Sequence, residues 1–84
     1  MKKKTLQELG WEIDSTNYKG IHATTIFKCG KRYIIITNYD IGNVIHIESC
    51  RKVLNKNGVY ELHSDYLTFE ELEALHKYIK ENLK

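Results

Sequence analysis

No proline interrupts the 84 residues of this chain, and from Gly20 to Leu62 β-branched and aromatic residues alternate with polar ones at a period of two. Every backbone N–H in that stretch can join a ladder, and alternate side chains must point to opposite faces. Strands are predicted over Gly20–Cys29, Arg32–Asp40 and Asn43–Cys50, joined by tight turns at Gly30-Lys31 and Ile41-Gly42. Two further strands, Val53–Asn55 and Val59–Leu62, flank an Asn57-Gly58 turn. The pattern also admits a strand over Trp11–Asp14 ahead of these, with Ser15–Gly20 and His63–Asp65 as the longer loops.

The period changes to three and four after Leu67. Thr68 is placed to cap a helix that starts at Phe69 and runs to about Leu83, and Glu71 completes a capping box. The apolar stripe of that helix reads Phe69, Leu72, Leu75, Ile79 and Leu83, with glutamates in the first turn and Lys77, Lys80 and Lys84 towards the end. A shorter helical turn before Gly10 is predicted from Leu6 and Leu9. The expected architecture is a single α+β domain over residues 1–84. It has a short N-terminal helix, an antiparallel β-meander of four to five strands, and a C-terminal helix packed on one face of the sheet.

Two-residue turns set registers, with Cys29 opposite Arg32 and Asp40 opposite Asn43. Ile21, Ala23, Thr25, Phe27, Ile34, Ile36, Ile45 and Ile47 then share the face that the helix should cover. The other face is mixed: His22, Thr24, Ile26 and Lys28 lie beside Tyr39, Thr37, Ile35 and Tyr33, and these beside Val44, His46, Glu48 and Cys50.

Composition narrows the class of function. An apolar fraction of 42% with 29% charge suits a folded domain, and a formal net charge of +2 is too small a field to announce nucleic-acid binding. The longest apolar stretch, Tyr33–Ile36, is far short of a membrane span, and Met1-Lys2-Lys3-Lys4 is followed by no apolar signal core. The expectation is therefore a cytoplasmic protein with no membrane partner. Cys29 and Cys50 are expected as independent thiols, because the register sets their Cα atoms about 10 Å apart. Neither Cys-x-x-Cys nor His-x-x-x-His occurs, and His46 with Cys50 is the nearest approach to a metal pair, so no metal or cofactor is expected. The five glycines are scattered singly at turns and form no phosphate cradle. His46 beside Glu48 lacks the further groups a catalytic base needs, and no enzyme activity is expected.

Two surface features stand out. Lys28, Lys31, Arg32, Arg51, Lys52 and Lys56 converge at one end of the sheet, six of the 13 basic residues. Such a cluster suits phosphates or an acidic protein surface, and it equally suits solubility and edge protection. The mixed face carries Tyr33, Tyr39, Ile26, Ile35 and His46, aromatic and branched residues interleaved with polar ones as at binding surfaces. Cover by the N-terminal segment with Trp11, a homodimer and a hetero-partner site are all consistent with that face. The candidate partner-binding residues are Lys28, Lys31, Arg32, Tyr33, Tyr39, His46, Arg51 and Lys52.

The opening Leu6-Gln7-Glu8-Leu9-Gly10-Trp11 and the later Leu67-Thr68-Phe69-Glu70-Glu71-Leu72-Glu73-Ala74-Leu75 resemble short uncharacterised proteins of phages and prophages of low-GC Gram-positive bacteria. The resemblance implies an accessory protein that binds a host protein stoichiometrically, a group that includes inhibitors of CRISPR nucleases and other defence systems. The alternative reading is a module that binds nucleic acid through its basic end.

Overall fold

In the computed structural model, which describes residues 4–19, 22–39 and 44–82, the period-two stretch forms five strands. They are β1 (Glu12–Lys19), β2 (His22–Cys29), β3 (Arg32–Tyr39), β4 (Val44–Leu54) and β5 (Tyr60–Ser64), followed by helix α1 (Phe69–Asn82). Each strand pairs antiparallel with the next, so the sheet is a meander in chain order. The anticipated pairings hold where described: Cys29 lies opposite Arg32, and Val44 opposite Tyr39. Gly30, at φ 64°, occupies the left-handed region that a two-residue hairpin turn requires. The Ile41-Gly42 turn, Gly20, Ile21, Leu83 and Lys84 lie outside the described residues.

Several expectations need correction. The N-terminal helix is a single turn: Leu9 N–H donates to the Thr5 carbonyl, Trp11 N–H to the Leu6 carbonyl, and Gly10, at φ 96°, ends it. Thr5 and Glu8 cap it reciprocally, with Thr5 N–H to Glu8 Oε1 at 3.0 Å and Glu8 N–H to Thr5 Oγ1 at 3.1 Å. One turn is too short to propagate as a helix. Residues 15–19, anticipated as loop, belong to β1. A bulge between Ile13 and Ser15 inserts Asp14, so the alternation reverses phase there and the period-two signal is lost.

The segment Val53–Asn55 is not a separate strand, because β4 continues through Arg51 and Lys52, held by β5 on one side and by Lys52 N–H to the Lys31 carbonyl, 2.8 Å, on the other. Its hairpin closes over Asn55–Val59, where the Asn55 carboxamide oxygen accepts from Asn57 and Val59, and β5 runs on through His63 and Ser64. Finally, the buried side of α1 is rotated from the anticipated stripe. Glu71, Ala74 and Leu75 are buried, whereas Phe69 and Leu72 are 77% and 50% exposed.

The core lies on one side of the sheet. Phe27, Ile34 and Ile36 pack beneath Ala74 and Leu75 of the helix, with Leu6 and Trp11 of the N-terminal turn completing the layer. Tyr78 meets Phe27 edge to face at 4.9 Å between centroids. Because Leu6 and Trp11 belong to this layer, the N-terminal segment does not cover the mixed face as one reading of the sequence had it. Among the described residues, no helix is long and apolar enough to cross a membrane.

Candidate functional site

The register sorts the candidate partner-binding residues onto two faces. Lys28, Tyr33, Tyr39, His46 and Lys52 fall on the face away from the helix, hereafter the outer face, since directly opposed residues share a side. Lys31 sits at the exposed tip of the β2–β3 turn, and Arg32 and Arg51 lie on the helix side. The basic end is thus divided by the sheet rather than forming one patch.

Arg32 is committed to the fold. Its Nε donates to Asp65 Oδ2 at 3.0 Å, its Nη1 to Glu71 Oε2 at 2.9 Å, and its Nη2 to both Glu71 Oε1 and the Tyr66 carbonyl. The guanidinium also lies 5.1 Å from the centroid of the Trp11 ring. Glu71 in turn accepts from the Trp11 indole N–H at 2.9 Å and from the Thr68 N–H at 2.9 Å. One carboxylate therefore completes the capping box, anchors the helix to β3 and locks the N-terminal turn. Burial pushes the Glu71 carboxyl up, but the bonds from Arg32, Thr68 and Trp11 outweigh it and hold the carboxyl below its ordinary range. The Arg32 guanidinium is raised, chiefly by its bond to Glu71. Asp65 is lowered by the Tyr66 backbone N–H first and then by Arg32 and Arg51. Arg51 lies 3.7 Å from Asp65 and is itself 57% exposed.

On the outer face the structure adds residues that sequence reasoning missed. Residues 53–61 carry β4 and β5 beyond the β2–β3 turn as a projecting hairpin arm; on its outer face Leu54 lies opposite Tyr60, and at its base Lys52 lies opposite Leu62. Leu54, Tyr60 and Leu62 are 55%, 52% and 62% exposed. The Lys52 ammonium stands 4.5 Å from the Tyr60 ring centroid. Leu62, Cys50 and Ile35 line one open depression together with Glu48, Ser64 and Asp65, so the base of the arm adjoins the centre of the sheet through a largely polar surface. The signal that could have found it was the alternation Cys50, Lys52, Leu54, which the Arg51-Lys52 pair obscured.

The chemistry of the remaining groups is modest. His46 Nε2 stands 3.7 Å from Glu48 Oε1 with both side chains more than half exposed, a surface pair. Cys29 and Cys50 are free thiols, and their register puts them on opposite faces. Burial, with the charges of Glu48 and Asp65, pushes the Cys50 thiol up. No cluster of three metal-ligating side chains occurs among the described residues. A cleft of about 420 Å³ lies on the helix side between the N-terminal turn and α1, lined by Leu6, Trp11, Ile13, Phe27 and Tyr78 with Lys77 among the polar residues. It holds no nucleophile beside a base. Compared with known protein families, curated proteins and solved structures, the chain matches none.

Proposed function

We propose that this protein acts by stoichiometric binding to another macromolecule, not by catalysis, and that it engages its partner with the β4–β5 arm and the adjoining outer face. The observation that carries this reading is the ridge of Leu54, Tyr60 and Leu62, three large apolar side chains more than half exposed along the arm and its base. Water-exposed apolar ridges bordered by cations suit a protein partner with an apolar recess and an acidic rim, and Lys28, Lys31, Lys52 and Lys56 supply that border. The resemblance to phage and prophage accessory proteins implies a bacterial host protein as partner, defence nucleases included.

The test is affinity capture from a Gram-positive host lysate with and without nuclease treatment, followed by titration of the purified partner. Leu62→Glu should weaken binding at least tenfold, about 1.4 kcal/mol, while leaving the fold intact. Normal binding by that variant would refute the assignment of the surface. Nucleic acid is the second reading, favoured by Tyr33, Tyr39 and Tyr60 interleaved with Lys28 and Lys52 on an open antiparallel sheet. It requires capture to be lost on nuclease treatment and affinity to fall steeply with salt, which a mainly apolar protein interface does not show.

A further inference from the structure

Among the described residues the meander has two open edges, and they are built differently. β1 carries a bulge at Asp14 and the carboxylates of Glu12 and Asp14, the devices by which proteins keep edges from pairing. The other edge is a composite. β5 covers only Cys50–Leu54 of the eleven-residue β4, and the last contact beyond it is at Ser49, whose carbonyl accepts from Asp65 N–H at 3.0 Å and whose Oγ donates to the Asp65 carbonyl at 2.6 Å. From Val44 to Glu48 no further strand lies alongside β4 among the described residues.

The direction of the backbone groups in that interval follows from two bonds. Lys52 N–H donates towards β3 and the Ser49 carbonyl accepts from the β5 side. Even-numbered residues of β4 thus bond β3, and odd-numbered residues face outward, because the two directions alternate along an antiparallel strand. The N–H and C=O of Ile45 and Ile47 therefore point into the open lane. The segment Val44-Ile45-His46-Ile47-Glu48 has no bulge against β3, no proline, no lysine and one carboxylate.

We propose that this edge pairs with the same edge of a second copy of the chain, joining two five-stranded sheets into one. A two-fold axis at His46 sets Ile45 opposite the second copy's Ile47 and the reverse, so four N–H···O bonds form between groups that have no strand partner among the described residues. Two neighbouring registers are disfavoured. A shift by one residue sets outward-facing groups against inward-facing ones, and a shift by two that places Ile47 against its own equivalent brings Ile45 against Ser49, where Asp65 closes the lane.

Side chains on the helix side agree with this occupant. The two-fold keeps both helices on one face of the joined sheet. Glu81 lines the cleft beside β1, and Leu72, nine residues away at 100° each, lies on the opposite flank of α1, towards β4. Leu72 at 50% exposed and Ile47 at 40% then border the seam from both copies. The short pairing makes a weak, concentration-dependent dimer rather than an obligate one.

Sedimentation equilibrium up to about 1 mM, paired with residue-resolved amide exchange, tests the proposal. The dimer should grow with concentration, and the Ile45 and Ile47 amides should become protected with it while His46 and Glu48, bonded to β3, stay protected throughout. Ile47→Pro deletes an outward N–H and no bond to β3, and should weaken association at least tenfold. If that variant fails to fold, Ile47→Lys, which sets like charges across the seam, should do the same. A monomer at about 1 mM with freely exchanging Ile45 and Ile47 amides overturns the pairing and leaves the edge to a strand of another protein. A dimer that persists in a folded Ile47→Pro or Ile47→Lys variant overturns it as well. Neither result bears on partner binding through Leu62, which is read in a separate titration.

Discussion

Replacing Glu71 by alanine is expected to cost more stability than any other surface-to-core polar change in α1. Its carboxylate accepts two bonds from Arg32, one from the Trp11 indole and one from the Thr68 N–H, all between 2.9 and 3.0 Å. Removing one partner of a fully buried ion pair costs about 3 to 5 kcal/mol. Here the figure is discounted, because Arg32 is 26% exposed and keeps Asp65 and the Tyr66 carbonyl. The Trp11 indole has no such reserve: Trp11 is 2% exposed, and its orphaned N–H adds about 1 kcal/mol. With half of the capping box also lost, the expected effect is about 3 kcal/mol, against a total of about 4 to 12 kcal/mol for a chain of this length. Urea unfolding at pH 7 should show the midpoint fall by about 3 M at a slope near 1 kcal/mol/M, and Glu70→Ala, exposed in the same turn, should move it by a few tenths of that. A Glu71→Ala variant within about 1 kcal/mol of Glu70→Ala would refute the view that this carboxylate holds helix, sheet and N-terminal turn together.

Other outcomes follow from the same packing. Leu75→Ala should destabilise by about 2 to 5 kcal/mol in denaturant unfolding, whereas Phe69→Ala, at an exposed position, should stay within about 0.5 kcal/mol. Thr68→Ala should cost about 1 kcal/mol by the same assay through the lost cap. In acid, the Glu71 carboxyl is lower in the folded state than its ordinary 4.5, so its contribution is complete above that value and is lost as pH falls below it towards the folded one. Glu71→Gln should flatten that part of the stability-versus-pH curve, and an unchanged slope would contradict the bonding described. Native thiol titration at pH 8 should show Cys50 reacting much more slowly than Cys29, because Cys50 is buried and its thiol is pushed up.

Much of this molecule is determined locally. The absence of proline, the two-residue period and the Gly30-Lys31 turn are sufficient for the β2–β3 pairing residue by residue, because a tight turn allows one register and a slip would move every apolar side chain to water. The Thr68 and Glu71 pair likewise marks the start of α1 through a contact three residues long. Features that depend on distant residues were not legible. Nothing near Asp14 announces a bulge, and nothing near Arg51-Lys52 shows that β5 will pair there and carry the strand on into an arm. Arg32 reads as a surface cation until Asp65 and Glu71, 33 and 39 residues away, converge on it. Glu71 also settles the rotation of the helix, since satisfying a buried carboxylate with four N–H donors outweighs burying Phe69 and Leu72. The candidate site shares this division. Tyr33, Lys28 and His46 follow from alternation alone, while the ridge of Leu54, Tyr60 and Leu62 exists because β4 and β5 run on past the β2–β3 turn, and the open edge at Ile45 and Ile47 because β5 is shorter than β4. That difference in length arises where the chain leaves the sheet at Asp65 to reach the helix, a choice made by long-range ion pairing and not by any local propensity.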